Sequence, residues 1–390
     1  MFYHESALAL IVMMLVLAVV RRSSLYSPLV ISSSVWLVVF IAGVIFQDRF
    51  YPIQETAFIA WLIWFMVTSL IFFLFCPSIV NRAWTETEIR RIPVDYTLPL
   101  VALIGLLCYS IWVVGNTGPE HFFLNLRMLA TNKIEGTATL GMLKRIYPLI
   151  FTLFLFEHVY ERRENRHLRF LLWCLMLLYA VAMMSKLSLL TPAVSWAIIQ
   201  GITGKLKVSR IVVLSTVVFA SMISLHFLRA SVSDESTIVD ILAGYIYSPI
   251  VALGYMNIDE SLPFGAYVFR FFYAVGNLMG IAQLPVKTIL SFVGVPEPTN
   301  VYTVMQPFYH DFGLLGVLLE AVSYGLFFTC LYWLSANGSR FGLVLFSGYS
   351  IVLIMQFFAD LLITMFSGNL QFFIYALAVF LASKRVHHVY

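Results

Sequence analysis

The stretch that decides the fold is PLVISSSVWLVVFIAGVIF, from Pro28 to Phe46, which contains no charged residue. A helix needs roughly 20 mostly apolar residues to cross the hydrocarbon core of a membrane, and this stretch has that length. Reading outward from it, the chain holds further apolar blocks of the same kind. The sequence therefore predicts an all-α, polytopic integral membrane protein with about 11 transmembrane helices, at residues 6–20, 28–46, 57–75, 96–114, 142–158, 168–184, 187–203, 210–228, 311–334, 341–358 and 369–383.

Composition excludes most other classes of protein. Of the 390 residues, 61% are hydrophobic and only 11% are charged, whereas a soluble domain carries roughly 25% charged residues. A β-barrel is disfavoured because its strands alternate polar and apolar residues, and here the apolar residues form unbroken blocks. The net charge of +4 is small and the basic residues do not cluster, so no nucleic-acid partner is expected.

The distribution of charge predicts the orientation. With the N-terminus outside, the inner loops hold 15 of the 24 Lys and Arg residues, as the positive-inside rule requires. The segments 115–141 and 229–310 are then both on the outer side. The predicted regions are spans 1–8 (1–228), a large outer loop with amphipathic helices (229–310) and spans 9–11 (311–390). A functional site is expected to face the periplasm or the exterior.

The large loop contains an amphipathic run at 267–281. Within it, Arg270, Tyr273 and Asn277 are spaced so that they share one face of a helix. The G-x-x-x-G pattern at 276–280 predicts close approach of a second helix. We expect this helix to lie against the bilayer surface or to dip into it. The alternative is a packing helix without chemistry.

Polar and aromatic residues crowd where the loop meets span nine, in NVYTVMQPFYHDFGLLG from Asn300 to Gly316. Asp311 is predicted at the outer mouth of this span with His310 beside it, and a charge at that place is a functional candidate. Either residue could take a proton from a reacting hydroxyl, or Asp311 could simply cap the first turn of the helix. Glu320 is predicted about 13 Å deeper, at 1.5 Å per residue, as a polar tie between helices or as a catalytic group.

Three arginines lie on the predicted outer side in aromatic surroundings: Arg127, Arg229 and Arg270. Their position runs against the positive-inside bias, and the planar guanidinium matches phosphate oxygens. Together they predict an anion-binding site, for instance for a phosphate. The alternative for each arginine is a salt bridge to an acidic residue of the outer segments.

Motifs for nucleotides and metals are missing from the sequence. No Walker-type or dinucleotide glycine motif and no H-E-x-x-H occurs. The four cysteines have no metal-type spacing. A reaction without cofactor or metal, or a binding role, is therefore expected.

This chain resembles the Wzy-type O-antigen polymerases, the oligosaccharide repeat unit polymerases. The resemblance rests on the many spans, the large outer loop before a late span, and a local motif. That motif is N-V-Y-T at 300–303, then Y-H-D-F-G at 309–313 and Gly316. Arg229, which ends the span before the loop, is also similar to the family's outer arginine.

The resemblance implies a metal-independent glycosyltransferase with a GT-C-like helical fold in the bacterial inner membrane, its active site facing the periplasm. Such an enzyme acts in lipopolysaccharide biosynthesis. It joins oligosaccharide repeat units carried on undecaprenyl diphosphate and releases undecaprenyl diphosphate. A chain-length regulator protein is an expected partner besides the lipid bilayer. The implied site residues are Asp311 or His310 as catalytic base, Arg229, Arg270 and Arg127 on the diphosphate, and Tyr302, Tyr309, Tyr273 and Asn300 on the sugars.

Other functions remain open at this point. An O-antigen ligase would perform the same chemistry with a lipid A core acceptor. A flippase or transporter for lipid-linked sugars would need polar residues in both halves of the membrane, whereas the polar and aromatic residues here concentrate on the outer side. A structural scaffold would not need charged residues at the outer ends of spans eight and nine.

Overall fold

The computed structural model describes residues 2–78, 89–130, 138–160, 166–229, 238–259, 261–287 and 289–386. The chain folds into two compact units. Unit 1 contains Met1–Val80, Ser236–Asn337 and Val352–Asn369, and unit 2 contains Asn81–Glu235, Gly338–Ile351 and Leu370–Tyr390. Each unit is therefore assembled from segments that are distant in sequence.

The described residues are almost entirely helical. The helices are α1 (Phe2–Val20), α2 (Pro28–Phe46), α3 (Glu55–Phe75), α4 (Thr97–Thr117), α5 (Phe122–Ala130), α6 (Ala138–Val159), α7 (Arg166–Met183), α8 (Lys186–Ile202), α9 (Val208–Arg229), α10 (Ile238–Ile246), α11 (Ser248–Tyr255), α12 (Arg270–Leu278), α13 (Gln306–Ala336), α14 (Arg340–Ile354) and α15 (Phe366–Ala382). The short strands β1 (Ile89–Arg91) and β4 (Lys384–Val386) pair antiparallel, as do β2 (Val293–Gly294) and β3 (Pro298–Thr299). An all-α fold was predicted, and it is confirmed.

Each of the eleven predicted spans coincides with a helix. Seven helical segments of the described chain are long and apolar enough to cross a membrane: Tyr3–Val20, Pro28–Arg49, Glu55–Phe75, Thr97–Thr117, Arg166–Met183, Gln306–Ala336 and Arg340–Phe357. The helices α8 and α15 have 17 residues each, and α6 contains a proline, Pro148. A protein with several membrane-spanning helices is thus supported, and the total of eleven stays a prediction.

Unit 1 is organised around α13, which packs along α3. Large aromatic side chains of α2 and α3 fill the interior, including Trp36, Trp61 and Trp64, all fully buried. The indole N–H groups of Trp36 and Trp64 both donate to Oε1 of Gln356, at 3.1 Å each. The backbone carbonyl of Gln356 accepts the amide of Val304 at 2.8 Å. These bonds fix the start of α13 against the turn Met355–Phe357, which carries Gln356.

The helix α13 is broken at Gly313. Its φ of 60° and ψ of −147° lie in a region that only glycine occupies without strain. The segment before the break folds against the segment after it, so that a Cβ on Gly316 would overlap the carbonyl oxygen of Phe308. The predicted span at 311–334 is helical, and the break at Gly313 divides it. The D-F-G-x-x-G motif has a conformational basis, with one glycine for the break and one for the close packing.

The large loop folds as α10, α11, α12 and the β2–β3 hairpin. The amphipathic run at 267–281 is helical only over α12. Two backbone hydrogen bonds end the helix. The N–H of Gly280 donates to the carbonyl of Asn277 at 3.0 Å, and the N–H of Ile281 donates to the carbonyl of Gly276 at 2.9 Å. This is a Schellman ending, and Gly280 has the positive φ of 72° that it requires. No atom of the described residues lies within 4 Å of a Cβ placed on Gly280, so the predicted helix–helix contact at this glycine is wrong for the part of the chain that the structure describes.

Unit 2 contains α4 to α9 among its helices. Tyr96 donates its hydroxyl hydrogen to Oε1 of Glu157 at 2.5 Å. The amide of Asn125 on α5 donates to the carbonyls of Gly115 and Glu120, at 2.9 and 2.6 Å. These bonds hold α5 against the end of α4, so the predicted outer segment 115–141 has a defined fold over its described part.

Candidate functional site

His310 and Asp311 form a buried pair in the first segment of α13. Nδ1 of His310 lies 3.1 Å from Oδ1 of Asp311, and the side chains are only 5% and 2% exposed. Nε2 of His310 accepts the backbone N–H of Asp259 at 3.2 Å. The ring of Tyr267 packs edge-on against the imidazole, with 4.5 Å between ring centres.

These contacts define the protonation pattern of His310. Because Nε2 accepts a hydrogen bond from an amide, the ring proton must be on Nδ1, where it is donated to Asp311. Both nitrogens are therefore engaged within the protein. A base needs a lone pair directed at the proton that it takes, and His310 has none available in this arrangement.

Asp311 holds the turn that leads into α12. Its Oδ2 accepts the backbone N–H groups of Tyr267 and Val268, each at 2.9 Å, while Oδ1 accepts from His310. The sequence left open whether Asp311 caps the start of span nine, but no side chain caps the N-terminus of α13. The carboxylate instead ties α13 to the large loop and accepts three hydrogen bonds.

A cavity of about 280 Å³ lies beside this turn. This volume is at the lower end of the roughly 300–1,000 Å³ of ligand pockets. It is called the Arg270 cavity below. Its lining consists of Tyr267, Arg270, Lys287, Ile289, Leu290, Asn300, Val301, Tyr302, Thr303, Gln306, Phe358, Ala359, Asp360, Leu361, Thr364 and Met365. All of these residues belong to unit 1.

Two cations and one acid line the Arg270 cavity. Arg270, at the first position of α12, is half-buried, and its Nε donates to the carbonyl of Val286 at 2.8 Å. This bond orients the guanidinium along the cavity wall. Lys287 follows directly in the chain and is exposed. With Asp360 as the acidic residue of the lining, positive charge is in excess, which favours an anionic ligand.

Asp360 is the buried carboxylate of the lining. It is 4% exposed and accepts the backbone N–H groups of Leu362, Ile363 and Thr364 at 2.7 to 3.1 Å. Burial raises the pKa of the Asp360 carboxyl above its ordinary value, while these N–H groups act in the opposite direction. A raised pKa brings the carboxyl closer to neutral pH, where proton transfer is most effective.

The four predicted sugar-contacting residues separate into two pairs. Tyr302 and Asn300 line the cavity. Tyr302 is nearly fully buried, and its hydroxyl donates to the carbonyl of Ser291 at 2.8 Å. Tyr273 and Tyr309 are not part of the lining in the described chain, and the hydroxyl of Tyr273 donates to the carbonyl of Phe264 at 2.9 Å. The structure therefore brings two of the four together with Arg270.

The three predicted arginines are not joined in one described site. Arg270 lines the cavity of unit 1, whereas Arg127 on α5 and Arg229 at the end of α9 belong to unit 2. The side chain of Arg229 lies outside what the structure describes. The predicted role of Arg127 and Arg229 on a diphosphate stays a prediction.

Glu320 is buried in the second segment of α13. It is 2% exposed, and neither carboxylate oxygen has a hydrogen-bond partner among the described residues. It interacts electrostatically with Asp360. The alternative of a polar tie between helices is not supported, because such a tie requires a hydrogen-bonded partner.

Sequence reasoning missed Asp360, Lys287 and Gln306. Asp360 directly follows predicted span ten, at its outer mouth, so the argument used for Asp311 would have selected it as well. Lys287 follows the amphipathic run but has no pattern of its own. Gln306 lies in the polar stretch before span nine, where only its fold shows that it reaches the cavity.

No group of three or more His, Cys, Asp or Glu side chains that could hold a metal ion occurs among the residues that the structure describes. Comparison of the chain with protein-family models, with curated proteins and with solved structures found no match.

Proposed function

We propose that this protein is a Wzy-type polymerase, a metal-independent glycosyltransferase that joins oligosaccharide repeat units carried on undecaprenyl diphosphate. The observation that carries the proposal is the Arg270 cavity. It combines two cations, a buried carboxylate and hydroxyl and amide groups, within a chain that has several membrane-spanning helices. A lipid-linked diphosphate sugar has the matching chemistry, with an anionic group between a sugar and an apolar tail.

In this proposal the cations bind the diphosphate. Arg270 offers a planar donor group fixed by its bond to the Val286 carbonyl, and Lys287 adds a point charge. As the sugar–diphosphate bond breaks, negative charge grows on the leaving oxygen. Cations already in place stabilise that charge without reorganisation, so the interaction is stronger in the transition state than in the ground state.

The transfer itself exchanges two bonds at one carbon. The anomeric carbon of the growing chain loses its bond to the diphosphate oxygen and gains a bond to the acceptor hydroxyl oxygen of a new unit. Asp360 takes the hydroxyl proton, and undecaprenyl diphosphate leaves. We assign the base to Asp360 rather than to His310 or Asp311, because Asp360 lines the Arg270 cavity and the other two are not part of its described lining.

His310 and Asp311 are positioning residues in this scheme. They fix the turn at Tyr267 and Val268, and Tyr267 is itself part of the cavity wall. Asn300 and Tyr302 are placed to contact the sugar nearest the diphosphate. A cavity of about 280 Å³ admits this reacting part of the substrate rather than a whole repeat unit.

The proposed setting is the bacterial inner membrane with the cavity facing the periplasm. The support is the positive-inside count of 15 of 24 basic residues. The large loop and the turn that carries Asp360 are then both on the periplasmic side. A chain-length regulator protein and the lipid bilayer are the proposed partners.

The test is chain extension by purified protein. Undecaprenyl-diphosphate-linked repeat units are supplied without other proteins, and the products are separated by size. A ladder of glycans is expected, with release of undecaprenyl diphosphate. Transfer only to an added lipid A core acceptor would show a ligase instead. Intact units and no transfer in either arm would refute a glycosyltransferase.

A transporter of lipid-linked sugars is the second candidate, and Glu320 favours it. An ionisable residue buried inside a membrane helix is typical of ion and proton pathways. Reconstituted vesicles separate the two functions, because a transporter would move labelled lipid-linked units between leaflets without lengthening the glycan.

A further inference from the structure

The segment 264–284, which contains the turn held by Asp311, carries an apolar patch on the surface. It consists of Phe264, Phe272, Leu278, Ile281 and Leu284. Leu278 is 87% exposed, Leu284 80%, Ile281 78% and Phe264 76%. Contiguous apolar surface of this kind marks a contact with another apolar phase. None of the five residues lies in a segment identified above as membrane-spanning.

The segment 264–287 has two chemically different sides. Tyr267, Arg270 and Lys287 line the Arg270 cavity, whereas the patch residues are exposed and are not part of its described lining. The Schellman ending of α12 turns the chain after Leu278, and both Ile281 and Leu284 beyond that turn are exposed. The segment therefore contributes polar residues to the cavity lining and apolar residues to the exposed surface.

Two aromatic rings of the patch contact rings of α13 and α15. The ring of Phe264 packs on that of Phe312, just before the break in α13, with 5.2 Å between centres. Phe272 approaches Phe366 at the start of α15, at 6.2 Å. Beyond the break in α13, Leu315 is 64% exposed. The ring contact of Phe264 thus connects the patch to Phe312, which lies in the segment Gln306–Ala336 that is long and apolar enough to cross a membrane.

We propose that residues 264–287 are embedded in the bilayer leaflet at the N-terminal end of α13, with acyl chains of phospholipids covering the patch. This connection selects lipid as the occupant over a second protein. The outer wall of the Arg270 cavity is then a lipid-facing wall. The inference concerns the position of this segment and stands independently of the reaction proposed above.

Photo-crosslinking tests the position in native membranes. A benzophenone amino acid replaces Leu278, and in a second variant Leu284, in the full-length chain; both side chains are so exposed that packing is unaffected. Leu315 serves as the lipid-facing control and Glu297, exposed in the β2–β3 turn, as the control outside the patch. After illumination, the adducts are identified by mass spectrometry.

We expect phospholipid adducts at Leu278 and Leu284 in a yield comparable to that at Leu315, and none above background at Glu297. Adducts to a second copy of the chain at either patch position would show a protein interface instead. Absence of lipid adducts at both patch positions, with adducts at Leu315, would place the segment in water. Either result would overturn the proposal.

Discussion

Removing the Asp311 carboxylate should release the turn before α12. In Asp311→Ala, the backbone N–H groups of Tyr267 and Val268 lose their acceptor, which lies 2.9 Å away and is 2% exposed. A hydrogen bond to a charged group contributes roughly 1.5–3 kcal/mol. At 1.36 kcal/mol for each factor of ten, opening of the turn becomes roughly 10- to 150-fold more frequent.

Hydrogen exchange read by mass spectrometry measures this opening. Peptides that contain Tyr267 and Val268 should exchange faster by that factor in Asp311→Ala, with the protein in detergent or nanodiscs. Asp259→Ala is the matched control, because its carboxylate is exposed in the same loop and its hydrogen-bond donor among the described residues is Ser261. This variant should leave exchange at Tyr267 and Val268 unchanged.

Asp311→Asn should give a different pattern. Its amide oxygen can still accept both backbone N–H groups, but its NH₂ then faces the Nδ1–H of His310. Moving the ring proton to Nε2 relieves that conflict and creates another with the N–H of Asp259. Exchange should therefore rise at the Asp259 amide rather than at Tyr267. If both variants lose activity while hydrogen exchange is unchanged, the positioning role is refuted. Asp311 would then act directly in the reaction.

Three further results are expected. Gly313→Ala should destabilise the protein by about 1–3 kcal/mol through strain at a positive φ, and Gly316→Ala by a similar amount through overlap with a carbonyl. In Gly368→Ala the new Cβ meets no atom of the described residues within 4 Å, so this variant should unfold at the wild-type temperature or slightly above. Burial raises the pKa of the Asp360 carboxyl, whereas a free Asp titrates at about pH 4. The rate of chain extension should therefore begin to fall on acidification at a pH above that value. A rate that stays constant down to about pH 4 would show that Asp360 is not the base. Glu320→Gln should keep or increase the thermal stability of the protein. Burying a carboxylate that has no hydrogen-bond donor among the described residues costs more free energy than burying a neutral amide. Strong destabilisation by this substitution would instead indicate a cation bound to Glu320.

Much of the fold follows from apolar patterning. The block at 28–46 became α2, with Ser27 accepting the amide of Val30 and Pro28 in the first turn, because length and apolarity alone specify a membrane helix. Local glycine chemistry was less predictable. The spacing of Gly276 and Gly280 predicted packing against a second helix, but Gly280 instead ends its own helix with a positive φ. A spacing of four residues is compatible with both roles, and only the surrounding contacts decide between them.

The site was partly predictable for a different reason. Arg270, Tyr302 and Asn300 were selected as polar groups in an apolar chain, and they do meet in one cavity. The acidic residue of the cavity lining, Asp360, lies in the turn that follows α14. Long-range placement of this kind depends on packing of α13 with its neighbours, which a single sequence does not encode as a local pattern. His310 and Asp311 accept hydrogen bonds from backbone amides of the large loop. Every residue type except proline has such a donor, so these bonds could not be predicted from the sequence.

The rate of chain extension by variants of the two cavity cations tests the central claim most directly. Each lost charge-assisted contact to the diphosphate corresponds to roughly 1.5–3 kcal/mol, so Arg270→Ala and Lys287→Ala should slow extension about 10- to 150-fold. Arg270→Lys should recover only part of the rate, because a point charge does not reproduce the planar donor group. Arg49→Ala, at an exposed arginine on the predicted outer side, should extend chains at the wild-type rate. Wild-type ladders from both Arg270→Ala and Lys287→Ala, at equal protein level, would contradict the assignment of the Arg270 cavity as the active site.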